Sequence, residues 1–376
     1  MKSFDVYPLF PIEPVKAQGS WLWDDKGVKY LDLYGGHAVI SIGHGHPHYV
    51  KAIEDQLSKI AFYSNSVQNP LQERLAAKLG EVSGYPDYTL FMVNSGAEAN
   101  ENALKLASFV TGRKKIVAFK KAFHGRTSGA VAATDNPKIV SPFNAGHEIE
   151  FIALNDIPAL DRINKDVAAV IIEGIQGVGG IQFPEDSYLV KLEARCKEVG
   201  ALLILDEVQS GYGRTGKFFA HQFSGIKPDL ITVAKGMGNG FPVGGLLINP
   251  NIKGVHGMLG TTFGGNHLAS AASLAVLEVI DNENLMNNAK VIGDYWMKEL
   301  KSFPSVTAVR GRGLIIGFDL PESLANLRKD LLFKHHIFTG EAKPNTIRLL
   351  PSLAMKQEEA NALIEALTVE FNLTVA

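Results

Sequence analysis

Between residues 88 and 248, short and nearly continuous apolar runs alternate with stretches whose apolar positions recur at helical spacing. The runs at 89–93, 115–119, 167–172, 201–205, 229–233 and 243–248 read as strands. Strands that are apolar on both faces belong in a mostly parallel sheet covered by helices on each side. The segment 186–199 shows one such covering helix, with apolar residues at helical spacing and Gly200 placed to stop it. After about residue 266 the order changes to a long helical region, strands at 306–309 and 313–318, a helix near 324–335, a strand at 346–350 and a final helix from Gln357. That order predicts a smaller α+β unit. Near the beginning, residues 21–33 read as two short strands around an Asp-Asp-Lys-Gly turn that pack with this unit. The expected division is therefore an N-terminal segment over 1–35, a large α/β domain over 36–265 and a small domain over 266–376.

The ends of two of these strands carry chemistry. The apolar run 201–205 stops at Asp206-Glu207, and the run 229–234 stops at Lys235, which opens the glycine-rich Lys235-Gly-Met-Gly-Asn-Gly-Phe-Pro242. Ligands of an open parallel sheet bind outside the carboxyl ends of its strands, so Lys235 and Asp206 are expected to face one pocket. An amine that forms a Schiff base and a carboxylate that keeps a pyridine nitrogen protonated are the pair that pyridoxal phosphate needs. Lys235 then also serves as the proton shuttle. A lysine following a strand is more often a solvated loop residue, so the neighbouring motifs decide between the readings.

The run 89–93 leads into Asn94-Ser95-Gly96-Ala97-Glu98-Ala99-Asn100 and then a helical pattern. Ser95 is either a simple N-cap or, with the amides of Gly96 and Ala97 and the helix dipole, part of a phosphate site. Lys121-Ala-Phe123-His124-Gly125-Arg126-Thr127 follows another strand. There Phe123 is either a core aromatic or a ring to stack on a pyridine, and Arg126 is either a surface cation or a carboxylate fork. Arg348 interrupts the apolar strand at 346–350 and, if buried, must find a partner such as a substrate carboxylate. Two other patterns carry less weight. Gly211-Tyr-Gly213-Arg-Thr-Gly216 has dinucleotide-loop spacing without a following helix, and Gly43-His44-Gly45-His46-Pro47-His48 reads as a turn rather than a metal site.

Composition narrows the setting. With 37 basic and 39 acidic residues the formal charge is -2, which offers no field for nucleic acid or an anionic membrane and favours small-molecule partners. The single cysteine, Cys196, excludes an intrachain disulfide and fits a reducing compartment. No apolar run approaches the length that spans a bilayer, and the expected location is the cytoplasm.

Taken together, Asn94-Ser-Gly-Ala-Glu-Ala-Asn-Glu101, Phe123-His-Gly-Arg-Thr127, Leu205-Asp-Glu-Val-Gln209, Ala234-Lys-Gly236 and Gly260-Thr-Thr-Phe-Gly-Gly-Asn266 resemble the class III aminotransferases over essentially the whole chain. These are fold-type I enzymes dependent on pyridoxal 5'-phosphate, and the nearest resemblance is to the acetylornithine and succinylornithine aminotransferases of arginine metabolism. The resemblance implies an α/β architecture with a mostly parallel seven-stranded sheet and a smaller α+β domain built from the two termini. It implies that Lys235 holds the cofactor covalently, Asp206 faces the ring nitrogen, Gln209 contacts the ring hydroxyl, Phe123 stacks on the ring, and Ser95, Gly96 and Ala97 hold the phosphate. It further implies a homodimer in which Thr262 reaches the partner's cofactor phosphate and Thr261 lies near substrate. Arg126 is expected on the acylornithine α-carboxylate, and Arg348 on the carboxylate of glutamate or 2-oxoglutarate. No metal is expected.

Two departures stand out. The family's Glu-Pro-Ile-Gln-Gly-Glu-Gly-Gly reads here Glu173-Gly-Ile-Gln-Gly-Val178-Gly-Gly180, so the glutamate that masks the arginine in related ornithine and ω-amino-acid enzymes is a valine. His37 stands where acetylornithine enzymes often place an aliphatic residue, and is either a packed histidine or a reader of the acyl end. The expected reaction is transfer of the terminal amino group of N2-acetyl- or N2-succinyl-L-ornithine to 2-oxoglutarate. The alternatives are another class III reaction on ornithine or GABA, an aminomutase or racemase, and a silent binding module on the same scaffold.

Overall fold

The computed structural model describes residues 1–371. Its centre is a seven-stranded sheet in the order Thr89–Val93, Gly244–Ile248, Leu230–Val233, Leu202–Asp206, Val167–Glu173, Lys115–Phe119 and Ile149–Ile152. Only Gly244–Ile248 runs against its two neighbours, so the carboxyl ends of the other six point the same way. The central strands are covered on both faces, and every residue of Val167–Glu173 is buried. Their unbroken apolar runs follow from that. The edge strand Ile149–Ile152 carries Glu150, is only partly buried and gives no apolar run, and the sequence reading passed over it.

Helix Gly96–Thr111 covers one face around Ala103, Leu106 and Ile171. Helix Asp186–Val199 covers the other around Leu189, Leu192 and Val170, and ends at Gly200 in the left-handed conformation, as its sequence predicts. Helix His267–Asn282 is capped by Asn266, whose Oδ1 accepts from Ala269 N at 2.9 Å. It is buried almost all round, which is where a helix apolar on every side must lie.

The C-terminal residues form a four-stranded antiparallel sheet in the order Ala308–Arg312, Ile315–Asp319, Thr346–Leu349, Gly340–Ala342. Helices Leu285–Ser302 and Gln357–Glu370 flank it, and fully buried Trp296 donates from Nε1 to Ala360 O at 3.1 Å. Of the helix expected near 324–335, the structure forms a single-turn 3-10 segment, Glu322–Leu324, and a short helix, Leu327–Phe333. At the N-terminus, Trp21–Asp24 and Lys29–Asp32 pair around the expected turn, with a further edge strand Pro14–Gln18 too exposed to show an apolar pattern. Lys29–Asp32 pairs in parallel with Ile337–Phe338, which joins the chain's beginning to its C-terminal part. One apolar cluster runs from Leu79 and Val233 through Ile280 to Trp296, Leu349 and Leu363, so residues of the seven-stranded sheet and of the C-terminal sheet share a continuous core. Among the described residues no helix is long and apolar enough to cross a membrane.

Candidate active site

The carboxyl ends of the parallel strands open onto a cavity of about 380 Å³. Ser95, Gly96, Ala97, Phe123, Arg126, Asp206, Gln209 and Lys235 line it together, although they are spread over 141 positions of the chain from 95 to 235. Four residues singled out for other roles are not among its walls: His37, Thr261, Thr262 and Arg348.

Lys235 begins a short turn, Lys235–Met237, one residue after Leu230–Val233, and its φ of 45° is left-handed. A side-chain-bearing residue stays there only when its surroundings over-determine the turn. They do: Ser41 Oγ donates to Gly236 O at 2.7 Å, Tyr49 donates to Gly238 O at 2.8 Å, and Asn239 Oδ1 accepts from Ser41 N and Ile42 N. Burial lowers the Lys235 pKa, with Arg348 adding to the effect and the Asp206 and Glu173 carboxylates opposing it. Desolvation favours the neutral amine, the nucleophilic form.

Asp206 is almost fully buried and tightly held. Its Oδ2 accepts from Asn100 Nδ2 at 2.7 Å and pairs with His124 Nδ1 at 2.7 Å, while Oδ1 accepts from Val208 N at 3.0 Å. Asn100 is fixed in turn, donating also to His124 O and accepting at Oδ1 from Thr232 Oγ1 at 2.7 Å. His124 Nε2 is buried without a hydrogen-bond partner among the described residues. Asn100 and His124 both lie inside motifs quoted from the sequence, yet only their coming together from a helix and a loop shows that they orient the carboxylate.

Ser95 is the N-cap of Gly96–Thr111, and its Oγ accepts from Glu98 N at 3.2 Å. The cap reading is therefore correct, and it coexists with a cavity wall where the first helical amides are free to meet an anion. A Cβ on Gly96 would come within 2.6 Å of Val208, so only glycine lets this helix end approach the strand carrying Asp206. The guanidinium of exposed Arg126 lies 5.9 Å from the Phe123 ring centroid. Gln209 donates from Nε2 to His37 O at 3.2 Å, and its Oε1 is buried with no partner among the described residues. A Cβ on Gly177 would sit 1.7 Å from that oxygen, so Gly177 makes room for Gln209. The unpartnered Gln209 Oε1, the amides of the helix end, the ring face of Phe123 and the Lys235–Asp206 pair fit a phosphorylated pyridine aldehyde.

Arg348 is 5% exposed, so the condition set on it by the sequence is met. Its Nε donates to Glu341 O at 2.9 Å, while Nη1 is buried without a partner among the described residues. Val178 lines the cavity and is 52% exposed, and a valine has no carboxylate to mask that nitrogen. His37 lies in a left-handed turn with φ of 69° and bonds through Nδ1 to the Tyr34 hydroxyl. Burial and then the Arg348, Lys235 and Arg328 charges lower its pKa, which disfavours the protonated form that a succinyl carboxylate would need. Thr261 lines a separate cavity with Asn65 and Gln72, and Thr262 is exposed. The three turn histidines diverge to separate carboxylates: His44 to Asp32, His46 to Glu283 and His48 to Glu278. Gly213 and Gly216 adopt left-handed turns with no α-helix following them.

Besides Asn100 and His124, the sequence analysis assigns no site role to a third polar residue of the cavity wall, Glu173. Glu173 ends its strand in register with Asp206 and is buried. The signal was there, since an acid closing an apolar strand is what drew attention to Asp206.

Residues 5–369 match the family described as aminotransferase class-III. The acetylornithine aminotransferase of Nitrosomonas europaea is 39% identical over 96% of this chain and 95% of its own length. That of Archaeoglobus fulgidus is 41% identical over 93% of each chain. Among solved structures, the ornithine aminotransferase of Toxoplasma gondii ME49 superposes with a TM-score of 0.90 at 26% identity, covering 98% of this chain and 92% of that one. The match over nearly the full length, the shared fold-type I architecture and the Lys235–Asp206 cavity lead to one conclusion: the chain belongs to the class-III aminotransferases.

Proposed function

We propose that this pyridoxal-phosphate-dependent aminotransferase moves the terminal amino group of N2-acetyl-L-ornithine to 2-oxoglutarate, giving the N-acetylglutamate semialdehyde and L-glutamate in cytoplasmic arginine metabolism. The observation that carries the substrate is the likeness, at 39–41% identity over 93–96% of the chain, to acetylornithine aminotransferases from both a bacterium and an archaeon. When bound, the cofactor supplies an electron sink for the carbanion formed at the amine-bearing carbon.

The protein's residues divide the remaining work. Lys235 Nζ, whose pKa burial lowers, would hold the cofactor and serve as the group that carries the proton. Asp206, fixed by Asn100 and His124, faces the ring nitrogen. Gln209 takes the ring hydroxyl, Phe123 covers a ring face, and Ser95 with the amides of Gly96 and Ala97 takes the phosphate. Arg126, exposed at the mouth, takes the α-carboxylate of the acylornithine, and Arg348 Nη1 takes a carboxylate of glutamate or 2-oxoglutarate. His37, held by Tyr34, meets the acyl end of the substrate, and burial with the Arg348 charge lowers its pKa and disfavours the cation that a succinyl carboxylate would need.

Thr262 serves the cofactor phosphate of a second copy, and Thr261 lies near the substrate. In support, their loop lies apart from the cavity of its own chain, and the aromatic side chains Phe62, Tyr63 and Phe263 beside it are exposed. The deciding experiment mixes purified, cofactor-loaded protein with N-acetylornithine, N-succinylornithine, ornithine or GABA and follows the cofactor absorbance over one turnover. Fast conversion by N-acetylornithine is expected. Conversion by ornithine or GABA alone overturns the substrate assignment and leaves the aminotransferase.

A further inference from the structure

The last residue of strand Val167–Glu173 reaches across the cavity floor to two loops. Glu173 Oε1 accepts from Phe123 N at 3.0 Å, and Oε2 accepts from Gly177 N at 3.1 Å. Phe123 presents its ring to the cavity, and Gly177 belongs to the loop 174–180 that brings Val178 to the wall and makes room for Gln209. A second side chain ties the same two segments at one edge, Gln176 Nε2 donating to Lys120 O at 2.9 Å, whereas Glu173 holds Phe123 itself.

We propose that Glu173 is a positioning residue that latches the ring-facing Phe123 to the loop 174–180 and so sets the width of the gap that the cofactor and substrate enter. The inference rests on the cavity being the pyridoxal-phosphate site, and on no particular amino donor. A carboxylate is the one side chain of this size with two acceptor oxygens, so an amide in its place satisfies one backbone N–H and turns a donor toward the other. A buried donor left without its acceptor is worth about tenfold in an equilibrium constant.

The latch is also sensitive to proton uptake. Burial raises the Glu173 pKa to about 7, with Asp206 adding to the rise and His124 opposing it. The other charges that face it are Lys235 and Arg348. The Phe123 and Gly177 amides hold that pKa down, so a carboxyl that stays buried takes up a proton more readily once they are lost, and the loops part on the acid side.

The test compares holoenzyme and its Glu173→Gln variant by amide hydrogen exchange of the 120–126 and 174–181 peptides and by the dissociation constant for pyridoxal phosphate. Both are measured about one pH unit above and below 7, with exchange corrected for its intrinsic pH dependence. Above 7 the variant is expected to exchange about tenfold faster in both peptides and to bind the cofactor about tenfold more weakly. Native enzyme is expected to approach the variant below 7, while the variant shows no such transition. Exchange and cofactor affinity within about twofold of native at both pH values overturn the proposal. Should the variant fail to fold, the native pH transition stands as the test, and its absence overturns the proposal equally. Neither readout uses an amino substrate, so a wrong substrate assignment leaves both unchanged.

Discussion

Two carboxylates lie side by side at the ends of neighbouring strands, Glu173 in register with Asp206, and they are used in opposite ways. Asp206 is held by side chains, Asn100 from a helix and His124 from a loop, with one backbone amide besides. Glu173 meets only backbone amides, and each belongs to a loop that has to be held. The first carboxylate is a part that the fold positions, and the second positions parts of the fold. Position at the strand end gives the same residue class both jobs, and the source of the hydrogen-bond donors separates them.

The comparison breaks most visibly at Asp206. Asp206→Asn leaves the cavity's shape but removes the carboxylate proposed to face the ring nitrogen, and a loss in kcat of about 10²–10³ is expected, the range for removing one preorganised electrostatic group. Steady-state kinetics check this against a smaller loss for Glu173→Gln. Removing a holder instead of the held group sharpens the contrast. Asn100→Ala takes one donor from Asp206 and one from His124 O, and is expected to lower kcat by about tenfold to a hundredfold with KM for the amino donor little changed. A KM effect larger than the kcat effect would place Asn100 with substrate rather than with Asp206.

A third expectation concerns stability. The folded-state pKa of Glu173, near 7, lies above its ordinary value of 4.5, so between those pH values the unfolded chain ionises first and native stability falls as pH rises. Below that window both states are protonated, and above it the cost is constant at about 3 kcal/mol. Glu173→Gln has no such ionisation, so melting temperatures of variant and native are expected to shift in favour of the variant across that window. A constant difference would show that the carboxyl ionises normally. The smallest effect belongs to Thr232→Val, which removes the donor to Asn100 Oδ1 two steps from the carboxylate. It is expected to cost about 1 kcal/mol of stability in urea unfolding with activity within a few-fold of native.

Much of this was legible in the chain. Central strands showed because burial on both faces leaves no polar positions to interrupt the run, as in Val167–Glu173. Edge strands did not, since Ile149–Ile152 and Pro14–Gln18 each have a side to water and no apolar signature. Lys235 and Asp206 were readable as charges placed where apolar strands stop, and Ser95 as a cap before a helical pattern. Arg348 was readable only conditionally, because its role turns on burial, which depends on residues near 341 and 34 meeting it in space. His124, Asn100 and Glu173 were not separated from their motifs, because what distinguishes them is a partner in another part of the chain. The histidine run at 44–48 carried a metal-like spacing, and its three side chains bind carboxylates on three different segments.

The left-handed backbone of Lys235 has a further consequence. Glycine would occupy φ of 45° without the steric penalty of about 1–2 kcal/mol that a Cβ meets there, and would bury no amine. Lys235→Gly is thus expected to be inert yet to melt above the cofactor-free native protein. The fold would be more durable with its reactive residue deleted, so the lysine is maintained by selection for turnover against the chain's own conformational preference.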